Sequence, residues 1–435
     1  MNHSFDTVFA PSSPIGGAIC VIRVSGDSTR NIAERILNKP VTDRPNVLRH
    51  VKIVRGGAVV DDCMAVFFEK PSSYTGEDML ELHCHGGAET VRSVLSTLSE
   101  AGGVPAEVGA FTKRAFLSGK MDLIEAEAVM DVINAQAESS LRSALEQLSG
   151  RVSARITAVE EKLLDARASI EAAIDYPDEA GEAAYAALPE TLEAAERDLS
   201  VLIEEGRKAR VLRDGLKLVI LGRPNVGKSS LLNALLGEDR AIVTATAGTT
   251  RDTLDERVNL GGVPVRLIDT AGVRDASDEA ERIGVDRARK ALETADAVLL
   301  VLDGSVPLTE ADEALLSETE DRMRIVLANK CDLGTVIRDG LPVSCKTGEG
   351  LDALKERIAS IAEPARQSTA AITNERHLRA LALALDAVRR AKAQTEPDCI
   401  ATELTEALHF LGTVTGTDVD AEVVDRIFAN FCVGK

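Results

Sequence analysis

The period of hydrophobic and polar positions changes three times along the chain. Residues 1–120 show short β-rich runs, Ile19–Val24, His50–Val54, Asp62–Phe68 and Leu80–His83, punctuated by Gly/Pro/Ser clusters at 12–17 and 71–76. One amphipathic stretch, Glu89–Ala101, ends at Gly102-Gly103 and predicts a helix. This part reads as α+β. From Met121 the pattern turns helical. Leu141, Leu145, Leu148, Val152, Ile156, Val159 and Leu163 form a stripe spaced by three and four that continues through Ile170 and Ile174 to Tyr176-Pro177. A second helix is expected at roughly Pro189–Arg210. Such stripes are explained by bundle packing and need no cofactor.

From residue 213 to about 365, apolar runs alternate with helical segments. Strands are expected at Lys217–Leu221, Val263–Asp269, Ala297–Asp303, Arg324–Asn329 and Leu341–Ser344. That alternation predicts a doubly wound α/β domain. Helices then return at Asn374–Gln394, Asp398–Leu411 and Ala421–Asn430. Helices on both sides of an α/β segment suggest insertion. The expected domains are 1–120, a helical bundle of 121–212 plus 372–435, and an inserted α/β domain at 213–371. Two separate helical domains are the alternative.

Within that α/β segment, the run Leu218–Leu221 leads into Gly222-Arg-Pro-Asn225-Val226-Gly227-Lys228-Ser229-Ser230 and a helix-compatible stretch. Strand, glycine-bounded turn and helix in that order make a P-loop. Glycine lets the backbone approach a phosphate, and the free amides at a helix start face the anion. Lys228 is the cation expected at the terminal phosphates and Ser229 the hydroxyl expected on magnesium. Four more motifs follow in order. Gly248-Thr249-Thr250-Arg251-Asp252 offers a threonine to the magnesium shell. Asp269-Thr270-Ala271-Gly272 ends a strand and suits water-mediated magnesium binding and a γ-phosphate. In Asn329-Lys330-Cys331-Asp332 the Asp332 carboxylate can accept from the N1–H and exocyclic amine of guanine, a donor pair adenine lacks. Ser344-Cys345-Lys346 supplies backbone for the guanine oxygen. The five together predict a GTP site like that of translation-factor-type P-loop GTPases.

Catalysis at this site lacks its usual glutamine: Val273 follows the DTAG motif and cannot orient a water. A substitute is expected from the carboxylate-rich segment 274–282, although a solvated acidic loop explains that segment equally. Asn225 can either cap its turn or coordinate a cation beside the phosphates, with carbonyls from Val243–Thr249 on the same ion. A monovalent ion there would stand where an arginine finger stands elsewhere.

Charge and cysteine usage narrow the class. The 435 residues carry a net charge of −20, yet residues 1–120 hold 13 basic and 13 acidic side chains, so the excess lies beyond them. An acidic chain with 3% aromatic residues and no Trp is no general polyanion binder, so any nucleic-acid contact must be local or borrowed from a partner. Seven widely spaced cysteines with no C-x-x-C predict reduced thiols, without a disulfide frame or zinc. The start has neither leader nor transit pattern and no apolar run nears 18 residues, predicting a cytoplasmic protein with no membrane contact. In Tyr74–Gly87, YTGEDMLELHCHGG, the sequence His83-Cys84-His85 suggests a metal. A plain strand is preferred, since the histidines share a face with no third ligand apparent nearby.

With these residues in hand, the chain resembles the MnmE (TrmE) family of tRNA-modification GTPases along its whole length. The resemblance rests on GGAICVIRVSG at 16–26, TGEDMLELHCHGG at 75–87, FTKRAFLSGKMDLIEAEAV at 111–129, AAIDYPDE at 172–179, GRPNVGKSSLLNAL at 222–235, AGTTRD at 247–252, DTAGVRDASDEAERIG at 269–284 and the terminal FCVGK. It implies a multidomain chain: an α+β N-terminal folate-binding-like domain that also dimerises, an α-helical bundle, and an inserted α/β doubly wound P-loop GTPase domain. It implies GTP contacts from Asn225 through Ser230, from Thr244, Ala245, Thr246, Ala247, Gly248 and Thr249, from Asp269 through Gly272, from Asn329, Lys330 and Asp332, and from Ser344, Cys345 and Lys346. Magnesium would sit on Ser229 and Thr250, and potassium on Asn225, Thr244, Thr246 and Thr249. Glu281 would orient water through a second water, with Arg274 in the same switch and Lys228 on the phosphates. Arg23, Glu81, Lys120 and Lys435 would contact 5-formyl- or methylene-tetrahydrofolate. Cys432 is either chemical or a small buried residue.

The family pairs with a flavoprotein, MnmG (GidA), which carries FAD. Together, as a homodimer joined into a heterotetramer, they place a carboxymethylaminomethyl or aminomethyl group on C5 of the tRNA wobble uridine. An Era/Der-like ribosome-assembly GTPase is the alternative, since it also uses an apolar residue after DTAG. It would require a basic RNA-binding module, and the flanks here are acidic helices. A folate binder with a vestigial GTPase is opposed by the five motifs.

Overall fold

The computed structural model describes residues 6–135, 137–238, 255–269, 292–363 and 372–435. The chain divides into two compact units, one of Met1–Met130 with Gly412–Lys435, the other Asp131–Leu411.

The first unit is built on six strands, β1 (Val8–Pro11), β2 (Ile19–Ser25), β3 (Arg49–Arg55), β4 (Ala58–Phe68), β5 (Met79–His85) and β6 (Val104–Pro105), in the order β3-β4-β5-β2-β1-β6. Alternation sorts the central strands: Cys20, Ile22 and Val24 of β2 and Leu80, Leu82 and Cys84 of β5 are buried. The helices Thr29–Ile36 and Ala88–Glu100 supply Ile32, Ile36, Val91, Val94 and Leu98 to the same core. The intervening residues Arg23 and Glu81 are Cα partners on the opposite sheet face.

Gly412–Lys435 clusters with this unit through its phenylalanines. Phe428 and Phe431 are buried with Leu123 and Ala126, and the Phe428 ring lies 6.2 Å from Phe116 and 4.9 Å from Phe431. Burying each such ring stabilises by about 1.5–3 kcal/mol.

In the second unit the helices Glu138–Leu148, Arg151–Asp175, Pro177–Asp214 and Glu375–Ala393 precede Pro397–Thr415, whose last turn belongs to the first unit. The continuous stripe expected from Leu141 is broken: Gly150 adopts φ 77° and starts a new helix. The break resets the helical phase. Leu141 and Leu145 are 38% and 48% exposed while Ala144 and Gln147 are buried, and the stripe holds from Val152 through Ile170. The second helix starts before its expected position and runs through Pro189. An interior proline costs a hydrogen bond, but the alanine-rich turns before it favour helix.

The inserted α/β portion has six strands, β7 (Leu216–Leu221), β8 (Asp255–Leu260), β9 (Val263–Asp269), β10 (Ala297–Asp303), β11 (Arg324–Asn329) and β12 (Leu341–Pro342), ordered β12-β11-β10-β7-β9-β8. All pairings are parallel except β8 with β9. β8 was not anticipated; the Gly261-Gly262 turn before β9 is the hairpin signal that marks it. Parallel strands place their C-terminal ends together, where open α/β sheets bind ligands.

Candidate functional site

The P-loop begins where β7 ends and closes where the helix Lys228–Glu238 starts. Asn225 takes φ 65°, a conformation asparagine tolerates, and this turns the loop. Gly227 takes φ 102°, and a Cβ there would stand 2.2 Å from Asn329 Nδ2. The loop is thus a cradle that a side chain would fill. Lys228 Nζ donates to Gly222 O at 2.6 Å and Arg223 O at 2.9 Å, so its ammonium is held over the loop's own backbone. Ser229 and Ser230 follow in the first helical turn.

One buried side chain joins the phosphate loop to the base loop. Asn329 is 2% exposed at the end of β11. Its Nδ2 donates to Val226 O at 2.8 Å, and its Oδ1 accepts from Cys345 N at 3.3 Å. Lys330 has φ 66° and pairs with Asp303 Oδ2 at 2.7 Å. Burial raises the Asp303 pKa, but Lys330 and both the hydroxyl and amide of Ser305 outweigh it and hold the carboxyl below its ordinary value. Asp332 Oδ1 accepts from Ser344 Oγ at 2.7 Å, which aims the carboxylate while its other oxygen is available to a ligand. Burial pushes the Cys345 thiol up, so it stays neutral beside the base loop. Lys346 follows Cys345 in that loop.

Other expected GTP-site residues divide by position. Asp269 ends β9 and is Cα-paired with Ile220 of β7, which brings the third motif beside the P-loop strand. Thr244, Ala245, Thr246, Ala247, Gly248, Thr249 and Thr250 lie outside the described residues, as do Thr270, Ala271, Gly272, Arg274 and Glu281. The described residues fit a nucleoside triphosphate: a helix start, a glycine cradle, one ammonium and a base-facing carboxylate converge on one sheet edge.

The first unit holds a second polar cluster. Arg23 Nε donates to Glu81 Oε1 at 2.8 Å, and the guanidinium lies 5.2 Å from the centre of the Tyr74 ring. Tyr74 OH and Thr112 Oγ1 are 2.9 Å apart, and burial raises the tyrosine pKa. Phe111 N donates to Lys435 O at 3.1 Å, and Val108 bridges Val433, so the C-terminal tail is fixed against the sheet. Burial and then Arg23 hold the Lys435 ammonium below the usual lysine range. Two cations against one carboxylate fit an anionic ligand. Lys120 Nζ donates to Pro71 O at 3.1 Å. Tyr74 and Thr112 were missed in the sequence; a lone tyrosine in the glycine-rich run YTGED was the available signal. Cys432 is exposed, which removes its reading as a small buried residue; its carbonyl accepts from Gly109 and Lys435 amides.

Comparison with known proteins adds the following. Residues 7–120 match the family described as the GTP-binding protein TrmE N-terminus, and residues 123–432 match the MnmE helical domain. A Natranaerobius thermophilus protein named tRNA modification GTPase MnmE is 40% identical, covering 99% of each chain. One of the same name from Levilactobacillus brevis is 41% identical over 99% of this chain and 98% of its own. Among solved structures, the G domain of the Thermotoga maritima FeoB iron transporter is 29% identical over 34% of this chain and 99% of its own, with a TM-score of 0.27. Aquifex aeolicus Era bound to GDP and aluminium fluoride is 24% identical over 41% of this chain and 68% of its own, also at 0.27.

Proposed function

Since this chain belongs to the MnmE family of tRNA modification GTPases, we propose that it is a potassium-stimulated GTPase which, with a flavoprotein of the MnmG type, modifies C5 of the tRNA wobble uridine using a folate one-carbon unit. It is a GTP hydrolase acting in tRNA modification. The observation that carries the reading is the Asn329 clamp between phosphate loop and base loop, in a chain aligned end to end with such GTPases.

In this reading Lys228 neutralises the terminal phosphates, and Ser229 and Thr250 hold magnesium. Asn225, Thr244, Thr246 and Thr249 hold potassium, which supplies positive charge where the phosphoryl oxygens gain negative charge. Val273 leaves the water unoriented, and Glu281 takes that role with Arg274 nearby. Asp332 selects guanine. Arg23, Glu81, Lys120 and Lys435 bind the reduced folate, whose glutamate tail suits the excess cation there. The protein works as a homodimer in the cytoplasm, in a heterotetramer with its FAD-carrying partner.

Mass spectrometry of wobble uridines in cells lacking this chain tests the function. The modification is expected to disappear, to return with the wild-type chain, and to stay absent with Glu281→Ala. Unaltered uridines in the deletion strain would overturn the reading and favour the ribosome-associated one. For the cation, GTP turnover is expected to be faster in potassium than in sodium; equal rates would remove potassium from the mechanism.

A further inference from the structure

The sequence His83-Cys84-His85 offered no metal site because no third ligand was apparent beside its histidines. The fold turns the question to the residue between them. Cys84 points into the core of the first unit and is 1% exposed. On the neighbouring strand β4, Asp61 and Cys63 are two positions apart and so share one sheet face, 8% and 5% exposed. One carboxylate oxygen of Asp61 and the sulfurs of Cys63 and Cys84 all lie within 4.8 Å of one another. The rest of that core is Val, Ile, Leu, Phe and Ala side chains with Cys20, so Asp61, Cys63 and Cys84 form a compact polar cluster within an apolar layer.

Asp61 is also held in place. His85 Nδ1 lies 2.7 Å from Asp61 Oδ1, and the His85 amide donates to Asp61 Oδ2 at 3.0 Å. A ligating carboxylate fixed by an outer histidine is the arrangement by which surrounding groups orient metal ligands. Two sulfurs and one oxygen suit a borderline-soft divalent ion over magnesium or calcium.

We propose that Asp61, Cys63 and Cys84 form a binding site for a thiophilic divalent cation of the zinc class. Binding displaces one proton from each thiol, so two protons leave to solvent as two metal–sulfur bonds and one metal–oxygen bond form. Two thiolates and one carboxylate around a divalent ion leave one negative charge beside the His85 ring. Cys20 is Cα-paired with Cys84 across β2 and β5, but its thiol donates to Ser13 O at 3.6 Å and lies outside the set. The site ties β4 to β5 at the end remote from Met79, on the face of the same sheet opposite Arg23 and Glu81.

The test uses the full chain, reduced and stripped with a chelator, titrated with cadmium chloride and with zinc chloride in competition. One equivalent is expected to bind, with a thiolate-to-metal charge-transfer band and release of two protons. Cys63→Ser and Cys84→Ser should lose the band, and Asp61→Asn should weaken binding by about tenfold or more. Cys20→Ser and Cys399→Ser should keep it. No saturable equivalent, or a band that persists in Cys63→Ser, overturns the site. Should the core variants fail to fold, X-ray absorption on the cadmium-loaded wild-type chain decides: two sulfur neighbours support the site, and an all-oxygen shell overturns it. The readout is metal binding, so it stands apart from GTP turnover.

Discussion

Asn329 shows how much one side chain organises at the residue scale. Its amide spends a donor on Val226 O and an acceptor on Cys345 N, so phosphate loop and base loop cannot separate without stranding a buried polar group. Asp332 beside it is the residue proposed to select guanine. Ser344 Oγ occupies one carboxylate oxygen, and the guanine N1–H and amine can be met by the rest. Asp332→Asn replaces an acceptor with a donor. Each lost charge-assisted hydrogen bond is worth about 1.5–3 kcal/mol, so GTP affinity is expected to fall by about a hundredfold or more. Xanthosine triphosphate, with an oxygen where guanine has its amine, should gain. Competition of both nucleotides against a fluorescent guanine nucleotide measures this, and unchanged GTP affinity would contradict the assigned contact.

The C-terminal tail carries the argument at the scale of elements. Gly434 takes φ 87°, and a Cβ there would lie 2.0 Å from Pro11 O, so this close approach to the sheet requires glycine. The tail thereby delivers Lys435 to the neighbourhood of Arg23 and Glu81. Burial first, then the Arg23 charge, disfavours the ammonium. The sign follows. In the free protein the folded state binds this proton less readily than the unfolded state, so the unit gains stability as pH rises through the lowered pKa toward the ordinary lysine value. An anionic ligand reverses the preference. Affinity for 5-formyl-tetrahydrofolate should be full below the lowered pKa and decline as pH rises through it. Lys435→Met should bind weakly at every pH, without that dependence. Isotherms across a pH series would show it; a flat wild-type profile would exclude Lys435 from the contact.

At the scale of the whole molecule, the GTPase portion grows directly from a long helix: Pro177–Asp214 is separated from β7 only by Gly215. Asp296, just before β10, fastens that junction. Its Oδ1 accepts from Arg210 Nη2 at 2.8 Å and its Oδ2 from Lys217 N at 2.9 Å. Nearby, Gln147 Nε2 donates to Thr373 Oγ1 at 3.0 Å in a buried position, and Ser139 Oγ donates to Gly262 O at 2.8 Å. A strand shift at the nucleotide edge thus has two polar routes into the helices, Asp296 to Arg210 and Gly262 to Ser139. Asp296→Ala should leave GTP turnover near its wild-type value while wobble-uridine product falls. Paired turnover assays and mass spectrometry would check this, and equal losses in both would mean that Asp296 serves the nucleotide site itself.

Short-range order was already written in the chain. Period-two and period-3.6 patterning yielded the central strands and most helices, and the nucleotide motifs were legible because each is contiguous; those following β7 and at the ends of β9 and β11 sit where open α/β sheets place such loops. What failed locally failed for local reasons: Gly150 breaks a stripe that residue spacing alone makes continuous, and Pro189 is carried inside a helix it was expected to start. Contacts across long separations were beyond the sequence. Asn329 as the clamp on a loop 103 residues earlier, the return of Phe428 and Phe431 to Leu123, and Tyr74 under Arg23 each depend on packing that no window of residues contains. The same holds for Cys84. Its flanking histidines are adjacent in sequence and face away, while its true neighbours, Asp61 and Cys63, are set by the register of two antiparallel strands. Sequence fixes which groups a chain owns and the period at which they recur; only the tertiary fold decides which of them meet, because strand register and helix phase convert distance along the chain into proximity in space.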